Sequence, residues 1–496
     1  MNKNHIILFL IFLLTLSARL YFSFQTPYFN IEGYETIRHV EYIGQNGVPL
    51  FNDMLSYGGR TLFFPPLYYY VLALFNLFLP VQFVLKVLPN VFMASLAFVI
   101  YIISNHITKN KKVALFTAFL SGFIPAFFHD TINDVSVYAL VVPLTALLIF
   151  CFMKIEEDKK YVSFFIVLIL VLRLIHPSVI VLSGALLVFL VLIKLIGLKQ
   201  SKIELELILF STFLILWSLF ITFRRAFLAH GYYVIWQNIP AELLNRFFSE
   251  ITILEAIYKV GIIPLIFGLF IIYKYIFIEK NRDIYLLISF AFLIGILLML
   301  RLIELNVGLM FLSVIFVLLF PQAFKMLLGH WGKTHFHKYR YVLIGGISIV
   351  FVLTSIIPSV TYANESLEEA VKPEEVRALR WLEDNSGEDD TILSTLEEGV
   401  LVTAIAHRKN MGDSNFLLIE DADIRLKDIM TIYTTPLQTE AIRLLDKYDV
   451  KYIYFSERAK EEFGVYKLSY VDDKCFEKVY EDSVEIYKSL CVLQGR

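Results

Sequence analysis

The 496-residue chain is 57% hydrophobic and 16% aromatic, with a mean hydropathy of +0.66 and a formal net charge of only −2. No soluble domain of this length carries so much apolar surface, so the composition excludes a purely soluble enzyme and gives no sign of nucleic-acid binding. The few charges are also unevenly placed, because residues 361–496 are rich in them and residues 1–360 are not. We therefore predict a polytopic α-helical transmembrane domain over 1–360 and an extracytoplasmic α/β domain over 361–496.

The order of hydrophobic runs and basic linkers predicts the topology. The first run, residues 6–24, follows Lys3 and has no small-residue cleavage site, so it indicates a retained first helix with a cytoplasmic N-terminus. Short basic linkers, such as TKNKK before Val113, mark cytoplasmic loops. The outer loops then fall at residues 28–80, 129–134, 224–252 and 302–306, and the C-terminal domain lies outside the cytoplasm of the cell.

The segment FFPPLYYYVLALFNLFLP decides the number of crossings. Successive loops must alternate between the cytoplasmic and the outer side of the membrane, and they do so only if residues 63–79 do not cross it. This predicts a membrane-associated or re-entrant helix that begins at Pro65 and Pro66. About eleven crossings remain by counting apolar windows. If this segment does span the bilayer, one of the neighbouring predicted crossings must be wrong.

The first outer loop holds a concentrated set of polar residues in FNIEGYETIRHVEYI and SYGGR. If the first stretch is helical, Glu32, Glu35 and Arg38 lie on one face. The simplest alternative is a solvated amphipathic helix on the membrane surface. Arg60 offers a planar fork suited to phosphate, and tyrosines such as Tyr34 suit sugar faces or the lipid interface. These features favour a substrate site.

The second outer motif is HDTINDVSVYALVVPL. Asp134 stands just before the apolar run and could serve simply as a helix N-cap. His129 and Asp130 lie close before it, also on the outer side. Two outer loops that each present carboxylates could share a divalent cation, with Glu32, Asp130 and Asp134 as ligands, or divide the roles of base and cation ligand.

The residues after 361 alternate between helix and strand patterns. PEEVRALRWLEDN has helical periodicity, TILST and KYIYFS are strand candidates, and Pro436 separates two amphipathic helices between residues 422 and 448. Cys475 and Cys491 flank strand-like runs, and an outer compartment would permit a disulfide that their spacing alone cannot establish. This pattern predicts a small layered α/β domain.

The order of these motifs resembles the GT-C superfamily of membrane glycosyltransferases, and most of all the catalytic subunit of archaeal and bacterial oligosaccharyltransferases. The likeness rests on an outer-loop acidic residue followed by Tyr, a G-x-P, a PPLYY-type helix, and a second acidic residue before a Pro-containing helix. It implies glycosyl transfer from a polyprenyl phosphate or diphosphate, such as a dolichyl donor, to an acceptor on the outer face of the cytoplasmic membrane.

The resemblance also assigns roles to residues. Glu32 matches the first acidic residue of the family and is the expected catalytic carboxylate, while Asp134, or less closely Asp130, matches the second. Arg301, at the outer end of the run LLMLRLIELN, resembles a donor phosphate contact. Arg60, Tyr34 and His129 are the other candidates for binding the donor phosphate or the substrate. The alternative for Arg301 is a snorkelling side chain paired with Glu304. A divalent cation, Mg²⁺ or Mn²⁺, is an expected cofactor.

The sequence departs from oligosaccharyltransferases at one motif. They carry WWDYG at the start of the soluble domain, where it grips the acceptor sequon, whereas here the comparable place reads TLEEGVLVTAIAHRKNMGD. A glycan, lipid or other protein hydroxyl is therefore the expected acceptor. Two other classes stay open: a lipid or solute transporter, for which Arg173 and His176 are the ionisable candidates inside a run, and a non-catalytic membrane scaffold.

Overall fold

The structure is a computed structural model that describes residues 3–236, 252–331, 333 and 339–492, and it is mainly helical. The helices of the first half are α1 (Lys3–Ser23), α2 (Ile31–Asn46), α3 (Leu67–Asn76), α4 (Val81–Thr108), α5 (Lys111–Ser121), α6 (Pro125–Asp130), α7 (Tyr138–Lys154), α8 (Lys160–Ile175), α9 (Val179–Ile196) and α10 (Lys202–His230). Those of the second half are α11 (Ile253–Val260), α12 (Ile262–Phe277), α13 (Arg282–Met299), α14 (Leu305–Trp331), α15 (Arg340–Phe351), α16 (Ile357–Glu368), α17 (Pro373–Asn385), α18 (Leu396–Leu401), α19 (Ala422–Thr434), α20 (Gln438–Lys447) and α21 (Glu457–Phe463).

The strands are few and lie mostly near the C-terminus. They are β1 (Asn52–Asp53), β2 (Arg60–Thr61), β3 (Thr391–Leu393), β4 (Lys409–Asn410), β5 (Val450–Phe455), β6 (Phe476–Glu481) and β7 (Glu485–Ser489). Parts of two predicted loops, the middle of 224–252 and the basic stretch of 330–340, lie outside the described residues.

The chain divides into two compact units. Unit 1 comprises Met1–Thr26, Pro65–Ile221 and Arg246–Glu368, and unit 2 comprises Pro27–Phe64, Thr222–Asn245 and Glu369–Arg496. The C-terminal boundary falls a few residues beyond the predicted one. The first outer loop, which the sequence places in the transmembrane domain, belongs to the same compact unit as the C-terminal residues.

Unit 1 is a multi-pass helical membrane unit. Within the described residues, seven helices are long and apolar enough to cross a bilayer, and an eighth crossing results if α11 and α12, which meet at 91°, count as one. The figure of about eleven crossings stays a prediction. Helix α3 has 10 residues, which at about 1.5 Å per residue is too short to cross the hydrocarbon core. That length agrees with the prediction that residues 63–79 do not span.

Helix α14 lies at the centre of unit 1, since 89% of its most apolar window is buried inside the protein. Its neighbour α12 approaches closely at Gly268, where an added Cβ would stand 2.3 Å from a ring carbon of Phe316. Helix α12 begins after Gly261, whose φ of +93° produces the sharp bend from α11. This bend sets the end of α11 close to the start of α14, as the contact of Lys259 with Asn306 described below demonstrates.

Unit 2 contains a five-stranded sheet in the order β4-β3-β5-β7-β6. Strand β3 pairs in parallel with β4 and β5, while β7 pairs antiparallel with β5 and β6. Side chains of β5 alternate between the two faces: Ile453 and Phe455 pack with α19 and α20, and Tyr452 and Tyr454 pack with α17. The predicted α/β domain is confirmed. Cys475 and Cys491 form a disulfide next to β6 and β7.

Candidate functional site

The acidic motif of unit 1 lies in a short helix and the loop that follows it. Pro125 opens α6, as proline suits the first helical turn, and the helix ends at Asp130. The Nδ1 atom of His129 contacts Oδ1 of Asp130 at 2.5 Å. The other carboxylate oxygen of Asp130, Oδ2, is buried and has no hydrogen-bond partner in the part of the chain that the structure describes. A buried carboxylate oxygen without a donor is costly, which marks Asp130 as a candidate ligand-binding group.

A second carboxylate, Glu304, belongs to the same region of unit 1. It lies in the loop between α13 and α14 and reaches the surface. The protein packed around it, together with the negative charge of Asp130, raises the pKa of Glu304 to about 7. A carboxyl whose ionisation is disfavoured by burial and by a neighbouring negative charge is a common feature of catalytic and cation-binding sites.

A buried cation completes this cluster. The ammonium of Lys259 is 3.2 Å from Oδ1 of Asn306 and 3.7 Å from Glu255, and it lies 5.6 Å from the centre of the Tyr362 ring. The ring of His129 packs edge-on against the same tyrosine, with centroids 5.8 Å apart. Tyr362 thus connects Lys259 with the acidic motif. Sequence reasoning missed Lys259 and Glu255, although an ionisable residue beside an apolar run was the available signal.

Asp134 and Arg301 stand in strained or irregular backbone. Asp134 is half-buried and precedes Val135, whose φ is +55°. Arg301 itself has a φ of +53°, and its side chain is exposed in the loop between α13 and α14. Left-handed backbone is unusual for any residue with a Cβ and clusters at functional sites. The turn at Val135 is held by the hydroxyl of Tyr68, which donates to the carbonyls of Val135 and Ser136 at 3.0 and 3.2 Å.

The part of unit 1 just described offers ligands for a cation but not a finished metal site. Among the described residues, no group of three or more His, Cys, Asp or Glu side chains is arranged to hold a metal ion. The unpartnered oxygen of Asp130 is the one feature that fits a hard divalent cation, which prefers carboxylate oxygens. On this observation Asp130 is the residue of unit 1 best suited to hold such an ion.

The first outer loop, in unit 2, begins with α2. Glu32 lies in the first turn of that helix with its side chain exposed, and the helix dipole favours a carboxylate at this position. Tyr34 packs against the C-terminal sheet domain, and burial raises its pKa to about 12. The predicted face that joins Glu32, Glu35 and Arg38 is therefore a real helix, but Glu35 and Arg38 are directed to other contacts.

Ion pairs fix this loop within unit 2. Arg38 grips Asp53 with both terminal nitrogens, and Arg60 bonds Asp413 at 3.2 Å and the carbonyl of Asn415. Burial alone would raise the pKa of Asp53, but the hydrogen bonds and charge of Arg38 outweigh it and lower that pKa. A small polar pocket opens at this place, lined by Glu35, Arg38, His39, Asp53, Arg60, Leu62, Val400, Thr403 and Asp413. Its lining brings three carboxylates together with two arginines and one histidine.

The turn between β1 and β2 is anchored in the same way. Tyr57 adopts a φ of +56°, its hydroxyl donates to the carbonyl of Asp413, and its backbone N–H donates to Asn410 at 2.8 Å. The Tyr57-Gly58-Gly59-Arg60 motif thus binds the C-terminal residues of unit 2. Arg60 would have to exchange its present partners before it could contact a phosphate.

The segment that replaces the oligosaccharyltransferase signature, residues 395–413, contains α18 and β4. The hydroxyl of Thr395 accepts a hydrogen bond from the backbone N–H of Glu398 at 3.2 Å. In return, the carboxyl group of Glu398 accepts one from the backbone N–H of Thr395, which completes a capping box. Burial, with a contribution from Glu375, raises the pKa of Glu398 to about 7. This glutamate is fully enclosed, so it stabilises the turn rather than meeting solvent.

The comparison with known proteins rests on the fold. No protein-family profile matches the sequence, and no curated protein sequence does. Among solved structures, the chain is similar to the oligosaccharyltransferase AglB of Archaeoglobus fulgidus in complex with an inhibitory peptide and a dolichol-phosphate, at 12% identity over 89% of this chain and 69% of that one, with a TM-score of 0.69. The chain has a GT-C fold.

Two further structures support this conclusion. ArnT of Cupriavidus metallidurans, bound to undecaprenyl phosphate, matches over 98% of this chain and 99% of its own, with 12% identity and a TM-score of 0.59. The A. fulgidus oligosaccharyltransferase in complex with Zn and sulfate matches over 94% and 71%, with 14% identity and a TM-score of 0.61. The predicted fold class and the resemblance to GT-C glycosyltransferases are confirmed.

Proposed function

We propose that this protein is a membrane glycosyltransferase that moves a sugar or glycan from a polyprenyl phosphate or diphosphate to an acceptor on the outer face of the cytoplasmic membrane. The observation that carries the proposal is the unpartnered, buried oxygen of Asp130 beside Glu304 and the Lys259 cluster, in a multi-pass unit of a GT-C fold. The similar AglB and ArnT structures contain dolichol-phosphate and undecaprenyl phosphate, respectively.

The proposed reaction is a direct displacement at the anomeric carbon. Glu32, exposed at the start of α2, accepts the proton of the acceptor hydroxyl. The acceptor oxygen forms the new bond to the anomeric carbon while the bond from that carbon to the phosphate oxygen breaks. Arg301 and Lys259 are the cations proposed to neutralise the leaving phosphate, with His129 and Tyr34 on the substrate side. Arg60, held by Asp413, keeps a substrate role only if it changes partners on binding.

A divalent cation, when bound, would add further charge neutralisation at the leaving phosphate. Asp130 is the residue proposed to hold it, with Asp134 and Glu32 as the other ligands expected from the sequence. We place the N-terminus in the cytoplasm and unit 2 outside it. The disulfide between Cys475 and Cys491 supports this orientation, because disulfides persist mainly in oxidising compartments.

The transporter alternative receives less support. Its main candidate, Arg173, donates to the hydroxyl and the carbonyl of Ser218 at 2.7 and 2.8 Å, which is an ordinary helix-to-helix contact between α8 and α10. No observation favours the scaffold alternative either, since a scaffold gains nothing from a buried carboxylate oxygen without a donor.

The test uses the full-length protein in lipid nanodiscs with radiolabelled dolichyl-phosphate mannose, dolichyl-phosphate glucose and a dolichyl-diphosphate glycan as donors, and membranes of the source organism as acceptors. Transfer is compared for wild type, Asp130→Asn, Asp134→Asn and Glu32→Gln, with Mn²⁺, Mg²⁺ or EDTA. The exposed Glu397→Gln serves as a control. Turnover that is lost in the three variants but kept in the control supports the proposal. If wild type transfers from none of the donors, the proposed function is refuted; equal turnover in all variants, with a donor that wild type uses, refutes the assigned site residues.

A further inference from the structure

Arg19 lies inside the first membrane helix and is almost completely enclosed, with 1% of its surface exposed. Its Nε donates to Oδ1 of Asn90 at 2.9 Å. One terminal nitrogen donates to the carbonyl of Phe127 at 3.2 Å, and the other donates to the carbonyl and hydroxyl of Thr131 at 3.0 and 2.6 Å. The guanidinium also lies 5.4 Å from the centre of the Phe128 ring. Every one of these partners is a neutral group.

A buried arginine with neutral partners is a poor way to stabilise a membrane unit. An apolar side chain would fill the same place between helices at lower desolvation cost. What arginine adds is a planar fork whose donors point in fixed directions. Here the fork binds two carbonyls, those of Phe127 and Thr131, that stand on either side of His129 and Asp130.

A second layer of contacts continues along the same loop. The amide of Asn90 donates to the carbonyl of Ile132 at 3.3 Å and to that of Lys86 at 2.8 Å. The ammonium of Lys86 donates to the side chain of Asn133, which is fully buried. Two membrane helices, α1 and α4, therefore hold the main chain of residues 127–133 from within the protein.

We propose that Arg19 is a positioning residue: by binding the carbonyls of Phe127 and Thr131 it fixes the place of the Asp130 carboxylate in the active site. This inference rests on the proposed function. Loss of the guanidinium would remove the donor to Asn90 Oδ1 and to the Thr131 carbonyl and would leave the Phe127 carbonyl with the Thr131 hydroxyl as its donor, and the loop would shift or open. A displacement of about 1 Å of a reacting group costs roughly 100-fold in rate.

The experiment compares Arg19→Met, Arg19→Lys and Thr131→Val in full-length protein in nanodiscs. The matched control is Arg173→Met, which also removes a buried arginine from a membrane helix of unit 1, but one that bonds Ser218. Hydrogen–deuterium exchange of peptides covering residues 125–136 is measured without any substrate, and transfer is measured with the donor that wild type uses. Apparent melting temperatures report overall folding.

In Arg19→Met we expect faster exchange confined to residues 125–136 and a fall in kcat of about 100-fold, with the donor KM within threefold of wild type. Arg19→Lys, which can reach one carbonyl at a time, should recover part of both readouts, and Arg173→Met should leave both near wild type. If Arg19→Met fails to fold, Thr131→Val decides, because it keeps the guanidinium and removes only the hydroxyl that accepts from Arg19 and donates to the carbonyl of Phe127.

Three results would overturn the inference in different ways. If Asp130→Asn abolishes transfer while Arg19→Met and Thr131→Val exchange and turn over like Arg173→Met, the positioning role is wrong and the proposed function stands. If wild type transfers from none of the donors, the proposed function is wrong. If wild type does transfer and Asp130→Asn turns over like it, Asp130 is not part of the site, and the role of Arg19 falls with it.

Discussion

Replacing Glu398 with Gln is expected to stabilise the protein at pH 8 and to change its stability little at pH 5. Glu398 is fully buried in unit 2, and its Oε1 has no hydrogen-bond partner among the described residues. Burial raises the pKa of this carboxyl to about 7, and the hydrogen bond from Ser456 only partly offsets that effect. The group is therefore an acid that the folded protein keeps protonated well above its ordinary range.

The sign follows from proton linkage. Between pH 4.5, the ordinary pKa of a glutamate, and the folded-state pKa of about 7, the folded protein holds a proton that the unfolded chain has released. The free energy of unfolding therefore falls as the pH rises through this window, by about 1.4 kcal/mol for each pH unit, and reaches a loss of about 3 kcal/mol above pH 7. Glutamine has the same shape and no charge at any pH, so its stability should not decline over this range.

The assay is thermal unfolding of the full-length protein in detergent at pH 5, 6, 7 and 8. We expect the melting temperature of wild type to drop by several degrees relative to Glu398→Gln between pH 5 and 8. Glu397→Gln, an exposed neighbour in the same helical turn, should keep the wild-type pH profile. A wild-type profile parallel to that of Glu398→Gln would refute the reasoning, because it would mean that Glu398 is ionised in the fold, held by Arg458.

Three further predictions concern the remaining parts of the structure. Arg60→Met should free the first outer loop, because it leaves the Asp413 carboxylate buried without its cation at a cost of about 3–5 kcal/mol. The loss should be seen as faster proteolysis after residue 47, and an Arg60→Met, Asp413→Asn pair that is worse than the single change would contradict this. Cys491→Ser opens the disulfide across its separation of 16 residues, which should cost about 3 kcal/mol, and a melting temperature equal to that of unreduced wild type would count against it. Asp134→Asn should lower transfer by about 100-fold at unchanged melting temperature, and transfer within threefold of wild type would remove Asp134 from the site.

The sequence predicts the architecture well because the physical signals are strong and local. Long apolar runs need only composition to be recognised, and the short apolar run in KYIYFS indicates a buried strand, as β5 is. The Pro65-Pro66 pair predicts the start of α3, which begins at Leu67. The division into compact units could not be foreseen in the same way. It depends on pairs such as Arg60 and Asp413, separated by more than three hundred residues, which no local pattern reveals.

The residues of the candidate site also differ in whether local sequence reveals them. Sequence reasoning finds Asp130 and Asp134 because a carboxylate beside a bilayer is costly and is usually paired or functional. The structure adds that one oxygen of Asp130 has no hydrogen-bond donor among the described residues. Lys259 and Arg19 follow from the same rule but lie within or beside runs whose hydropathy hides a single cation. Their meaning depends on partners from distant helices, namely Asn306 and Asn90.

The backbone at Val135 gives an independent reason to place function in the Asp134 loop. A β-branched residue at a φ of +55° costs on the order of 1–3 kcal/mol, and glycine or asparagine would adopt the same turn more easily. The turn persists because Tyr68 binds its carbonyls and because Val135 itself is 2% exposed, packed into unit 1. A loop that served only to connect α6 and α7 would have no need of a strained turn fixed in this way. A strained backbone of this kind is expected where a reaction depends on the direction of a neighbouring side chain, and here that side chain is Asp134.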